Sequence, residues 1–283
     1  MANDEHMVRV VTDSTADLPW NLRDSLGIAV VPLFVSFGEE TFRDGIDLTP
    51  EAFLQRLRMS AVLPKTSQPS VSDFERVFWR ELDAGREVVC VTISAALSGT
   101  HNAARLAADA VDAARIEIVD SRATTMQQGW IAVAAARAAR RGATRDEVAE
   151  VARAAIPRAK LFAVLRTLDY VYRGGRIGRA SQIVGSALSI KPVLGFADGV
   201  VAPVERVRTW KRALRSATDL AIAQAPFSDA VVLHTDNLAD AELTAAAIRA
   251  HVSDASVLIS PVGAVLGTYA GPGAIGIALL KDE

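Results

Sequence analysis

The sequence predicts an α/β fold in two parts, a mostly parallel α/β unit over residues 1–160 and a mixed-sheet α/β unit over 161–283. Three observations carry that expectation. In the first half, short β-branched runs alternate with helical patterns, as in a parallel sheet covered by helices. Beyond residue 160 the pattern changes to a Gly- and Arg-rich stretch, then two strand-like runs joined at Ala197-Asp198-Gly199, a hairpin signal. The 283 residues, 50% hydrophobic and 23% charged, suffice for one large or two ordinary domains and exclude disorder over most of the chain.

The elements follow in order. Val8–Thr12 is a strand that ends in the polar turn Asp13-Ser14-Thr15. Ile28–Phe37 reads as a second strand in which Pro32 imposes a bulge or an edge. Thr49 as N-cap and Pro50 at the first helical position open a helix to about Met59. Glu87–Ile93 and Ile116–Asp120 are strands of the buried type, followed by helices over Thr100–Ala113 and Thr124–Arg141. Thr144 and Glu147 form a capping box for a helix that ends near Pro157, and Leu161–Leu165 returns to strand. After the hairpin come a helix from about Thr209 to Ala225, a strand at Ala230–Thr235 and a helix over Ala239–Ala250. Strands at Ser256–Ser260 and Ala274–Leu280 close the chain, which has no internal repeat.

Composition removes several function classes. A formal net charge of -2 argues against nucleic-acid binding, which needs a basic face. Cys90 is the only cysteine, so an internal disulfide and a Cys-based metal cluster are excluded, and its place in an apolar strand reads as a packing thiol. His6, His101, His234 and His251 lack metal-ligand spacing, so neither a metal nor a cofactor is expected. There is no Gly-x-Ser-x-Gly elbow. The first residues lack a basic n-region, and no apolar run approaches the roughly 18 residues of a membrane span, so a soluble cytoplasmic protein is expected.

Four loops could carry chemistry. Lys65-Thr66-Ser67-Gln68-Pro69-Ser70 places two adjacent hydroxyls ahead of a helix, as a capped polar turn or as an anion site. Ser94 through His101 lies between the carboxyl end of a strand and a helix, where open α/β sheets bind ligands and free N–H groups favour anions. There Ser98 offers a hydroxyl and Gly99 allows close approach; helix capping explains the same residues. Arg173 to Arg179 contains three arginines among glycines, either a solvated basic face or one inward Arg that neutralises a carboxylate or phosphate. Gly263 to Gly273 is rich enough in glycine to imply tight turns, and Thr268 and Tyr269 are its hydroxyl-bearing side chains. Hydroxyls, an Arg and helix-end amides, without an evident base or nucleophile, suit holding an anionic head group better than performing a reaction.

The chain resembles the DegV family of bacterial fatty-acid-binding proteins. The matching segments are VTDSTADLP, TSQPSVSDF at Thr66–Phe74, ISAALSGTHNAA at Ile93–Ala104, DSRATTMQQG at Asp120–Gly129, YRGGRIGRA at Tyr172–Ala180, SIKPVL at Ser189–Leu194 and GPGAIGIAL. They cover nearly the whole chain in the family's order. The resemblance implies a DegV-like fold of two α/β domains with an acyl chain between or within them. It further implies that Thr66 and Ser98 hold the fatty-acid carboxylate, with Arg176 near the same head group. Some members present the fatty acid to a separate ATP-dependent fatty-acid kinase, the carrier itself performing no chemistry. There are two departures: Tyr269 stands where the family has His before the Gly-Pro-Gly turn, and Ala95 where many relatives have Ser. A tyrosine hydroxyl donates to a carboxylate but does not become a cation near neutral pH.

The expected function is therefore a carrier of a long-chain fatty acid such as palmitate, not an enzyme. Its expected ligand-binding residues are Thr66, Ser67, Ser94, Ser98, Gly99, Arg176, Thr268 and Tyr269. The alternative is a phosphate-ester or acyl-transfer enzyme using Ser98, with His101 one helical turn away as partner.

Overall fold

In the computed structural model, residues 7–183 and 190–282 are described; the expectations placed on the first six residues, His6 included, and on Ser189 lie outside them. The chain begins with β1 (Val8–Asp13), a single 3-10 turn at Ser14–Ala16, α1 (Trp20–Leu26), β2 (Ala29–Val31), β3 (Phe34–Phe37) and β4 (Glu40–Arg43). Next come α2 (Pro50–Met59), β5 (Lys65–Ser67), α3 (Val71–Asp83), β6 (Glu87–Thr92), α4 (Thr100–Val111), β7 (Ile116–Asp120), α5 (Thr125–Arg140) and α6 (Arg145–Ala155). The second half holds β8 (Ala159–Val164), α7 (Asp169–Arg173), β9 (Lys191–Ala197), β10 (Val200–Val207), α8 (Trp210–Ile222) and β11 (Phe227–His234). It ends with α9 (Leu238–His251), β12 (Ser256–Pro261), α10 (Ala264–Ala270) and β13 (Ile275–Lys281).

The first sheet has the order β2-β1-β6-β7 and is parallel throughout. Its central run Val88–Val91 is buried completely, which is why it reads as continuous apolar rather than alternating sequence. The sheet of the second half has the order β10-β9-β8-β13-β11-β12 and is mixed: β11 and β12 are parallel, the other pairs antiparallel. The fold class is thus the α/β arrangement expected, a parallel sheet followed by a mixed one.

Three local features differ from expectation. Ile28–Phe37 is not one strand: the chain leaves the parallel sheet after Val31, and beyond Pro32 it enters a small antiparallel sheet, β4-β3-β5. Proline has no N–H for the ladder, so the strand breaks there. Lys65–Ser67 pairs with β3 as a strand rather than forming a turn, and Ser70 then caps α3 through a reciprocal capping box with Asp73. The glycine-rich stretch near the C-terminus contains α10, with turns only after it, at Gly271 and Gly273, where φ is +67° and +80°. Gly267 sits inside that helix because a Cβ there would lie 2.6 Å from the Phe53 ring.

Helix α5 joins the two large sheets. Its alanine-rich surface is buried on almost every side, and one apolar cluster runs from Val10 and Val89 through Trp130 and Ala135 to Leu161, Val231 and Ala278. Small alanines let backbone approach closely on both faces. Trp130 is 1% exposed and its indole N–H donates to the Ala278 carbonyl at 3.1 Å. Trp130→Ala is expected to lower unfolding free energy by about 3–5 kcal/mol, read from urea denaturation, because the cavity lies between two sheets that cannot both collapse into it.

Candidate ligand-binding site

The carboxyl ends of β1 and β6 carry the loops that build the site. Asp13 ends β1, is fully buried, and accepts from the backbone N–H of Thr15 (3.0 Å) and Ile93 (2.7 Å) and from Gln128 Nε2 (3.1 Å). It thereby fixes the loop after β6, and burial raises its pKa in spite of those donors. Asp120, at the end of β7, braces the same loop by accepting from Ala95 N–H (3.2 Å) and also accepts from Arg122 N–H (2.9 Å). The loop delivers Ser98 and then Gly99, the N-cap of α4.

Opposite that loop lies strand β5. A chamber of about 280 Å³ between them is lined by Thr15, Thr66, Ser67, Gln68, Ser98, Gly99, Arg176 and Tyr269 among others. Thr66 Oγ1 hydrogen-bonds the Tyr269 hydroxyl, tying β5 to the end of α10. Ser98 Oγ lies 2.8 Å from Thr100 Oγ1 and 3.3 Å from the Thr100 N–H. Arg176 is exposed at the mouth; its Nη1 donates to the Gly174 carbonyl at 2.9 Å, and its guanidinium carbon lies 5.6 Å from the Tyr269 ring centroid. Gly174 allows this stacking of segments, since a Cβ there would be 2.6 Å from the Tyr269 ring.

A second cavity, about 130 Å³, adjoins the first and is lined almost wholly by apolar side chains, among them Leu161, Leu165, Leu194, Leu233, Leu266 and Ile275. Thr124, Val171, Phe196, Val201, Leu266 and Tyr269 line both cavities, so the polar chamber opens onto the apolar one. The two volumes together fall within the roughly 300–1,000 Å³ of small-molecule sites. Thr124 Oγ1 at the junction is buried without a hydrogen-bond partner. A polar mouth with hydroxyls and a cation, leading to an apolar recess, matches an amphiphile with an anionic head.

The structure brings Thr66, Ser67, Ser98, Gly99, Arg176 and Tyr269 to one chamber. It does not bring Ser94 and Thr268 there. Ser94 Oγ donates to the Gly199 carbonyl at the tip of the β9–β10 hairpin (2.7 Å), and Thr268 Oγ1 donates back to Ala264 in its own helix (3.0 Å). His101 Nδ1 is 3.0 Å from Thr92 Oγ1, so this ring nitrogen is engaged with β6 rather than with Ser98. Thr15, Thr124, Phe196 and Val201 line the cavities without having been singled out in the sequence. Of these, Thr15 lies in the turn that ends the first strand and Thr124 opens a helix within a segment that matches the DegV family, whereas Phe196 and Val201 carried no signal. Among the described residues, no cluster of three or more His, Cys, Asp or Glu side chains is arranged to hold a metal, and no helix is long and apolar enough to cross a membrane.

Comparison with known proteins gives consistent results. The family model described as "Uncharacterised protein, DegV family" matches residues 7–282. A DegV domain-containing protein of Caldanaerobacter subterraneus subsp. tengcongensis is 35% identical over 273 residues, covering 95% of this chain and 97% of that protein. Protein DegV of Bacillus subtilis is 31% identical over 274 residues, 95% of this chain and 98% of that one. Among solved structures, a DegV family protein from Thermus thermophilus, described by its fatty-acid binding, superposes with a TM-score of 0.90 at 31% identity, covering 97% of this chain and 99% of its own. A stearic acid-binding protein from Eubacterium ventriosum gives a TM-score of 0.87 at 27% identity, covering 97% and 98% of the two chains.

Proposed function

The chain belongs to the DegV family, and on that premise we propose that it binds one long-chain fatty acid, head group in the polar chamber and tail in the apolar recess. The observation that carries the proposal is the junction itself: hydroxyls and an Arg at the mouth, apolar walls beyond, with six residues common to both. The fatty-acid binding described for the Thermus thermophilus and Eubacterium ventriosum relatives supports the same ligand class. Thr66 and Ser98 donate hydroxyl hydrogen bonds to the carboxylate, Tyr269 adds a third hydroxyl, and Arg176 supplies positive charge. The site lies where loops of the parallel sheet meet β5, α7 and α10, between the two units divided near residue 160. The protein acts as a carrier that offers the bound acid to a separate ATP-dependent kinase, as the family resemblance implies, and performs no reaction itself.

Native mass spectrometry after mild purification tests the ligand class. The expected spectrum contains a species heavier by one fatty acid, which disappears on delipidation and returns on adding palmitate. A spectrum with no such species, before or after addition, overturns the proposal.

A further inference from the structure

A groove of about 400 Å³ reaches Gly263, the residue that leads into α10, with Asp13, Asp17, Asp44 and Arg23 as its charged lining residues. Asp17 Oδ1 accepts from the Gly263 N–H and Asp44 Oδ1 from the Ala264 N–H, both at 2.9 Å, so two carboxylates of the first half seat the first turn of α10. They converge closely: a Cβ on Gly263 would be 2.8 Å from Asp17 Oδ1 and 3.3 Å from Asp44 Oδ1. Asp17 Oδ2 accepts from Thr125 Oγ1 at 2.7 Å, and Thr125 itself lines the tail recess. Thr125 is held at φ +48°, an unfavourable value for a β-branched residue, so its place depends on this bond and the packing around it. The other end of α10 carries Tyr269, bonded to Thr66.

We propose that Asp17 and Asp44 are positioning residues for α10, and that their crowding makes the opening of this helix, and with it ligand release, depend on pH. The inference rests on the fatty-acid reading and adds a regulation of that same site. Two carboxylates crowded together away from water do not both ionise freely. The groups facing them are Asp13 from β1, which adds repulsion, and Arg23 from α1, whose guanidinium stacks over the exposed Trp20 ring at 4.7 Å. From α5 and α10 the facing groups are Thr125 and backbone N–H, neither of which titrates. Burial foremost, with Asp44 and Asp13 adding repulsion, pushes Asp17 up to about 8; burial likewise pushes Asp44 up to about 6. Freed into water, both return towards the ordinary value near 4. Seating α10 therefore takes up protons. It is most favourable at low pH, weakens as pH rises through the window from about 4 to about 8, and stops changing above it. Since α10 lines both cavities, its local opening is the step that exposes the ligand.

The test is the release rate of the fluorescent fatty acid parinarate into excess phosphatidylcholine vesicles, between pH 6 and pH 9. The wild-type rate is expected to rise from pH 6 to 8, by up to about fiftyfold, and then level off, one proton giving at most tenfold per pH unit. Asp17→Asn mimics the protonated carboxyl, keeps an acceptor for Gly263, and is expected to release at a rate nearly independent of pH above 6. Asp44→Asn removes the neighbouring charge, so its rate levels off at lower pH than wild type; it carries the test alone if Asp17→Asn does not fold. Thermal midpoints without ligand follow the same order, falling with pH in wild type and falling less in Asp17→Asn, where the raised Asp13 and Asp44 still titrate. Identical pH profiles for wild type and both variants overturn the clasp while leaving fatty-acid binding intact. No parinarate bound at any pH by any of the three overturns both.

Discussion

Replacing Thr66 and Ser98 together by alanine is expected to weaken fatty-acid binding by about 100-fold or more, with little change in thermal stability. Hydrogen bonds to a charged group contribute roughly 1.5–3 kcal/mol each, and here two hydroxyls would be lost from one carboxylate. Neither side chain is deeply buried. The bonds lost from the protein itself are those of Thr66 with Tyr269 and of Ser98 with Thr100, so stability changes little. Calorimetric titration of the delipidated proteins with palmitate reads the difference. Equal affinities would mean that the head group lies elsewhere. Hexadecanol separates charge from tail: it should bind wild type more weakly than palmitate and should discriminate little between wild type and the double variant.

Affinity is expected to fall about fourfold for each methylene removed from the chain, from the roughly 0.8 kcal/mol that burying one methylene contributes. The slope reports the recess directly, because a ligand held only by its head group would show no dependence on length. Ala163, on β8, lines the recess. Ala163→Phe places a ring inside it, and is expected to abolish binding of palmitate while a chain of about eight carbons retains measurable affinity. Titrations of wild type and variant with saturated acids of increasing length measure both effects. A flat length dependence in wild type would contradict an enclosed tail.

At the polar end, hydroxyls and arginines near strand ends mark candidate loops, but capping turns and a solvated basic face explain the same residues; the resemblance to the DegV family is what singles out Thr66, Ser98 and Arg176. Thr66, Ser98 and Arg176 come from three distant segments and meet in one chamber. Ser94 and Thr268 carry the same chemical signal but spend their hydroxyls on Gly199 and Ala264, a distinction set by tertiary position and by helix direction. The apolar recess was not legible. Leu161, Leu194, Leu233 and Ile275 lie in strands of ordinary apolar sequence, and nothing in such a run marks the side chains that pack against a ligand from those that pack against protein. Glycine weakens helix propensity, so the α10 segment reads as turns from sequence alone. Tertiary packing overrides that cost: Gly267 fits against Phe53, and the helix N-terminus is held by Asp17 and Asp44. The carboxylate pair was equally hidden, since Asp17 and Asp44 are far apart in sequence and become a unit only when α10 arrives between them. The parallel sheet, by contrast, announced itself through short buried runs such as Val88–Val91 and through the caps at Thr49 and Thr144.

The central claim is that one amphiphile spans both cavities, and electron density from crystals grown with palmitate tests it most directly. The account predicts a tubular feature running from the Leu233 and Ile275 side of the recess past Thr124, ending in a fork within hydrogen-bond distance of Thr66 and Ser98. Cavities that stay free of such density, or palmitate bound at another surface, would contradict it.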